Sequence, residues 1–185
     1  MNKTLATREA GLNLIELLLV LAVVVAIAVG AFIIYPRVQA GRSASAESQT
    51  LAGALAQVQS IFQNGQYREL DNDLAIKADV FPEKNIDGTN IFNEWGGPVT
   101  IFGANAAGTP ATDSSARFVA IRTENVPSAV CQKLVATAQA NWSMVQVGTT
   151  PIFDKVGATP IDYSEATAVD ACTATDPVNL TFLSR

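Results

Sequence analysis

The sequence predicts an α+β fold, a long amino-terminal helix packed on an antiparallel β-sheet, and three observations carry that prediction. Residues 17–34 are apolar or Gly without interruption (LLLVLAVVVAIAVGAFII), and helical periodicity continues beyond them. Four short β-prone runs, at 99–102, 118–122, 143–147 and 180–183, are each set off by Gly, Pro or polar turn residues. Among them, residues 127–140 (PSAVCQKLVATAQA) place Val130, Leu134 and Val135 on one side of a second helix, with Pro127 near its first turn.

The apolar run of 18 residues makes about 27 Å of helix, close to the thickness of a bilayer's hydrocarbon core. Before it, residues 1–11 (MNKTLATREAG) carry Lys3 and Arg8 against Glu9, a net +1 that favours keeping this end cytoplasmic and the bulk of the chain outside. A secretory signal would have an apolar core of roughly 7 to 15 residues and a small-residue cleavage site. This run is longer, and Tyr35, Pro36 and Arg37 come directly after it. A lipoprotein signal is excluded because no Cys follows the run. A plain membrane anchor fits the hydropathy, but it would not need Glu16 at the edge of the run (GLNLIELLL). An acid there costs on the order of a few kcal/mol in lipid, and such residues usually have a specific partner.

Beyond Arg37, Leu51, Leu55, Val58 and Phe62 recur at spacings of four, three and four, which is one helical face. Ala44, Ala46, Ala52, Ala54 and Ala56 fill much of the remainder, and Asn64-Gly65 supplies a stop. A helix over residues 12–63 would reach about 78 Å. Pro36 lacks an N–H and crowds the preceding turn, and Gly30 adds backbone freedom, so a kink or local melting is expected between them.

The whole chain has 185 residues, enough for one ordinary domain and an appendage, and residues 66–185 suffice for one core. A net charge of −5 and a pI near 4.6 exclude a basic surface for nucleic acid. With no His in the chain, neither a Ser/His/Asp triad nor a zinc finger can form. Asp71, Asp73 and Asp79 do not make a calcium loop, since one begun at Asp71 has Ile76 and Pro82 where Gly and Glu are needed. No phosphate-binding loop or Gly-x-Ser-x-Gly elbow occurs. No metal and no cofactor are therefore expected. Residues 103–115 and 148–175 read as loops or short irregular pieces, and Trp95 and Trp142 as packing residues.

The residues Gly11-Leu12-Asn13-Leu14-Ile15-Glu16 ahead of an apolar helix resemble the processing motif of type IV prepilins. The resemblance implies that a prepilin peptidase cuts between Gly11 and Leu12 on the cytoplasmic face, leaving Leu12 as the mature amino terminus, a residue often N-methylated in that family. Glu16 is then the fifth mature residue, and its carboxylate pairs with the α-ammonium on Leu12 of a neighbouring subunit while the apolar stripes bundle. Removing one partner of such a buried pair costs roughly 3 to 5 kcal/mol. The family's comparable Gly-to-Pro region unwinds in assembled filaments, which carries over to Gly30 and Pro36. The implied organisation is a leader at 1–11, a transmembrane and polymerising half-helix at 12–35, an amphipathic half-helix at 36–64 and a globular head at 65–185.

The resemblance extends into the head. Asn93-Glu94-Trp95-Gly96-Gly97-Pro98-Val99-Thr100, a helix carrying Cys131, Ala171-Cys172 and a last apolar strand (NLTFL) are similar to the type IVb pilins, such as bundle-forming pilins of enteric pathogens and thin-pilus pilins of conjugative plasmids. Pro98 departs from the pattern, and the strand ladder is expected to begin after it. Because the head is exported and Cys131 and Cys172 are the only thiols, they are expected to form a disulfide, with two unpaired buried thiols as the alternative. Closing that loop contributes about 4 kcal/mol in the chain-entropy model.

The resemblance further implies the type IV pilin fold and a structural role without enzymatic activity. The chain is expected to be the major subunit of a type IVb pilus, serving adhesion, aggregation or conjugative mating-pair stabilisation. It would sit in the bacterial inner membrane as a precursor and then in an extracellular homopolymer. Prepilin peptidase, the assembly ATPase, platform protein and secretin are implied partners, and host cells, recipient cells or phage are surfaces the fibre could meet. Removing the leader's +1 from −5 leaves a mature chain of −6, which argues against direct contact with nucleic acid. The alternatives are a minor pilin or secretion-system pseudopilin, and a membrane-anchored periplasmic enzyme or binding module.

Overall fold

The computed structural model describes residues 14–185, apart from the side chains of 33–37. Gly11 and Leu12 lie outside the described residues. The chain divides into two compact units, one ending at Gln39 and one comprising Ala40–Arg185. The first helix, α1, runs Leu14–Ile61, and a backbone bond from Gly65 N–H to the Phe62 carbonyl (2.9 Å) lies just past its end, with Gly65 at φ +64°. Only a residue tolerant of the left-handed region closes a helix in this way. α1 is helical through both Gly30 and Pro36 in the single chain. A proline withdraws one backbone donor, and the bonds before and after it carry the helix on.

In the second unit, α1 is succeeded by α2 (Asn72–Lys77), a 3₁₀ turn (Glu83–Asn85), β1 (Ile86–Asp87), β2 (Asn90–Phe92), β3 (Pro98–Ala104) and β4 (Phe118–Val126). Then come α3 (Ser128–Ala138), β5 (Met144–Val147), β6 (Thr150–Asp154), α4 (Glu165–Thr173) and β7 (Val178–Ser184). The seven strands form one sheet in the order β1-β2-β3-β4-β7-β5-β6, and every neighbouring pair is antiparallel. The last strand thus lies inside the sheet, with Ile121 opposite Phe182 on one side and Val145 opposite Phe182 on the other. Pairing on both edges explains why β7 is almost wholly buried.

Strand alternation sorts the side chains into two layers. On one face Ile101, Ile121, Val145, Leu180 and Phe182 join Leu51, Leu55 and Val58 of α1 and Val130, Leu134 and Val135 of α3 in the main core. On the other, Ala104, Ala120, Met144 and Leu183 make a smaller cluster bordered by Phe102 and Phe118. Trp142 packs against Phe182 with ring centroids 5.3 Å apart. Burying each such large apolar side chain contributes roughly 1.5 to 3 kcal/mol.

Two expectations are corrected here. Pro98 belongs to β3 and stands opposite Phe92 of β2, while the ladder to β4 begins one residue later at Val99. Proline is tolerated as a first strand residue because its missing N–H faces no partner there. The region 148–175 is not all loop, for it holds β6 and α4. The short elements α2, β1 and β2 lie in a stretch for which no element was predicted from the sequence.

Candidate functional site: the apolar half of α1 and a buried acid in the head

Residues Leu14–Phe32 form a helical stretch of 19 residues with a mean hydropathy of 2.9, none of it buried within the chain. Leu, Val, Ile and Phe project on every side, from Val23 at 50% exposed to Phe32 at 81%. A soluble helix hides one stripe and wets the other, whereas one that is apolar all round needs lipid or other apolar helices. At 1.5 Å per residue the stretch is about 28 Å long, so it matches a bilayer core. Glu16 is the acid of the first turn of α1, at the edge of this cylinder. Carboxylates are favoured at that end of a helix by the backbone dipole. Of the residues expected to act in assembly, Glu16 is placed on this helix, and Leu12 is outside the described residues.

In the head, Cys131 and Cys172 are joined, with their Cα atoms 5.7 Å apart, so the disulfide ties α3 to α4. Both residues are buried. Asp71 caps α2 by accepting from the Leu74 N–H at 2.8 Å, and Asp73 pairs with Lys77 at 2.5 Å. These acids are thereby committed to local structure. Lys155 donates to the carbonyl of Gln139 at 2.8 Å, just past the end of α3, where a cation complements the helix dipole.

The turn joining β2 to β3 is organised by Asn93. Its Oδ1 accepts from the N–H groups of Trp95 (3.0 Å) and Gly97 (2.8 Å), and its Nδ2 donates to Thr123 Oγ1 (2.8 Å) and the Glu124 carbonyl (2.6 Å). One buried amide therefore folds the turn and fastens it to β4. Gly96 sits at φ +74°, which glycine accepts without strain.

Against this turn lies Glu47 of α1, only 1% exposed, its Oε2 accepting from the Glu94 N–H at 3.2 Å. Neither of the two ion pairs found among the described residues includes it, and one of them, Lys84 with Glu94, is formed beside it. Burial pushes the Glu47 carboxyl up from its ordinary range to about 7. The Glu94 N–H and the Lys84 charge oppose that shift, and the Glu94 carboxylate adds to it. Sequence reasoning passed over Glu47. The signal was its position four residues before Leu51 and eight before Leu55, on the buried face of the same helix.

Known proteins share this fold over most of the chain. Residues 41–185 match the PilS family, described as PilS N terminal. The chain belongs to this family and is a type IVb pilin. Its fold is similar to that of TcpA, a type IV pilin from the El Tor biotype of Vibrio cholerae, with a TM-score of 0.56 at 14% identity, covering 78% of this chain and 99% of the other. It is also similar to a type IVb pilin from Salmonella typhi, with a TM-score of 0.53 at 16% identity, covering 75% and 97% of the two chains. No curated protein sequence matches it significantly. The pilin is a structural protein of the pilin fold, and membership implies assembly into a pilus filament. An apolar helix with no cover of its own fits residence first in a membrane and then in a fibre.

Proposed function

We propose that this pilin is the major subunit of a type IVb pilus, cut between Gly11 and Leu12 and polymerised through the apolar half of α1. The observation that carries the reading is that none of the apolar stretch Leu14–Phe32 is buried within the single chain. In lipid such a helix is content, and in a bundle of its own kind it is content again, so the subunit can pass from one to the other without exposing apolar surface to water. Glu16 supplies what apolar packing lacks, a fixed axial register, by pairing with the α-ammonium of Leu12 on a neighbouring subunit. Unwinding between Gly30 and Pro36 would occur on assembly, where neighbours can replace lost helical bonds. The fibre would present the heads outward for adhesion, aggregation or mating-pair stabilisation.

Amino-terminal sequencing of protein from sheared fibres tests the processing step, with Leu12 as the first residue. A chain beginning at Met1 would contradict it. Replacing Glu16→Ala should abolish fibres while leaving the subunit in the inner membrane. Fibres assembled in normal yield by that variant would remove Glu16 from the mechanism. Dominance of this chain in sheared preparations distinguishes a major subunit from a minor one.

A further inference from the structure

We propose that Glu47 is a proton-operated latch between the head portion of α1 and the β2–β3 turn, closed when its carboxyl group is protonated and loosened when it ionises. Three pieces of geometry carry this. Glu47 is buried on the core face of α1, and its one hydrogen bond to a described residue outside that helix is to the backbone of Glu94, not to a cation. The turn it touches is the one Asn93 fastens to β4, so a change at Glu47 acts on a segment linking helix to sheet. The charged groups acting on it are Glu94 of the turn and Lys84 of the 3₁₀ turn, already paired with one another.

The protonated carboxyl fits this setting, since it keeps an oxygen for the Glu94 N–H and carries no charge into the core. The ionised form has to be buried next to the Glu94 carboxylate, or else the turn must part from α1 to admit water, or Lys84 must leave Glu94. The Glu94 N–H alone would favour the carboxylate, but burial and the Glu94 carboxylate work against it, so ionisation sets the turn against α1 or rearranges the Lys84–Glu94 pair that flanks it. The raised proton affinity of Glu47 puts the change near neutral pH. The rigidity of the surface that contains the turn would thus respond to the acidity around the fibre.

The test is hydrogen–deuterium exchange of the full-length pilin in detergent, read on peptides covering residues 93–98 across pH 5.5 to 8.5 and corrected for base-catalysed intrinsic exchange. Protection of the turn should fall by roughly tenfold or more over this range in the wild type. In Glu47→Gln, which keeps the shape and loses the charge, protection should not change with pH. Two further variants fix the cause. Glu94→Gln removes a like charge and frees Lys84, so the midpoint should move to lower pH. Lys84→Met removes the attractive charge, so it should move to higher pH. A pH-independent wild-type profile, or the same fall in Glu47→Gln, would overturn the proposal, and so would midpoints unmoved by both neighbouring variants.

Discussion

The carbonyl oxygen of Glu124 lies 1.9 Å from the point where a Cβ on Gly97 would stand. The β2–β3 turn is therefore pressed onto β4 at a distance that only glycine permits, with the Asn93 amide bonded to that same carbonyl. Gly97→Ala forces either the turn or β4 to move, because the obstructing atom is backbone and not the end of a flexible side chain. It should cost about 3 kcal/mol or more, read as a lowered denaturant midpoint. Gly96, with open space around its Cβ position, should respond to Ala only through its positive φ and so more mildly.

Asn93→Ala removes four side-chain hydrogen bonds from one buried position and strands two N–H groups, a hydroxyl and a carbonyl. The expected loss is about 2 to 4 kcal/mol. Asn93→Asp keeps both acceptor bonds and loses both donor bonds, and it brings a carboxylate against the Glu124 carbonyl. It should therefore be no less damaging than Ala in equilibrium unfolding monitored by circular dichroism.

The Cys131–Cys172 disulfide spans a sequence separation of 41. Closing a loop of that size restricts the unfolded chain by about 4 kcal/mol. The double replacement Cys131→Ala with Cys172→Ala should lower stability by roughly that amount, and dithiothreitol should have a comparable effect on the wild type and none on the double variant. Secondary structure should survive under mild conditions, because α3 also holds Val130, Leu134 and Val135 in the main core.

Most of the sheet was legible in the sequence where strands are apolar on at least one face. β3, β4, β5 and β7 all contain Val, Ile, Leu or Phe in the core, and α3 repeats its buried residues at 130, 134 and 138. The missed elements lack that signature. α4 buries only Ala168 and Cys172, so its periodicity is too faint to see. β6 contains Pro151 and stands at the sheet edge, although Gly148 at φ +59° marks the tight hairpin that leads into it. α2 has six residues and owes its start to the Asp71 cap. In the candidate site, Glu16 was legible because an acid beside an apolar run is conspicuous. Glu47 was not, because an acid among Ser, Ala and Gln reads as surface until its register with Leu51 and Leu55 is counted.

Stability should depend on pH through Glu47 with a definite sign. Its carboxyl is raised from 4.5 to about 7 in the folded chain, so the native state holds a proton that the unfolded chain releases between those values. Its contribution is complete below about pH 4.5 and is lost as pH rises through about 7. Glu47→Gln should then match the wild type in acid and exceed it at pH 8.5, by up to about 3 kcal/mol. Paired urea titrations at the two pH values check this, and a variant less stable at both would count against the assignment.

The claim on which the rest stands is that uncovered apolar helices leave the membrane to cover one another. Cryo-electron microscopy of fibres sheared from cells producing this chain measures it directly. The account predicts a filament of this subunit with the segments from Leu14 to Phe32 bundled along the axis, heads outside and Glu16 facing the amino terminus of a neighbour. Filaments held together by the heads alone, with those segments outside the axis and Glu16 open to water, would contradict it.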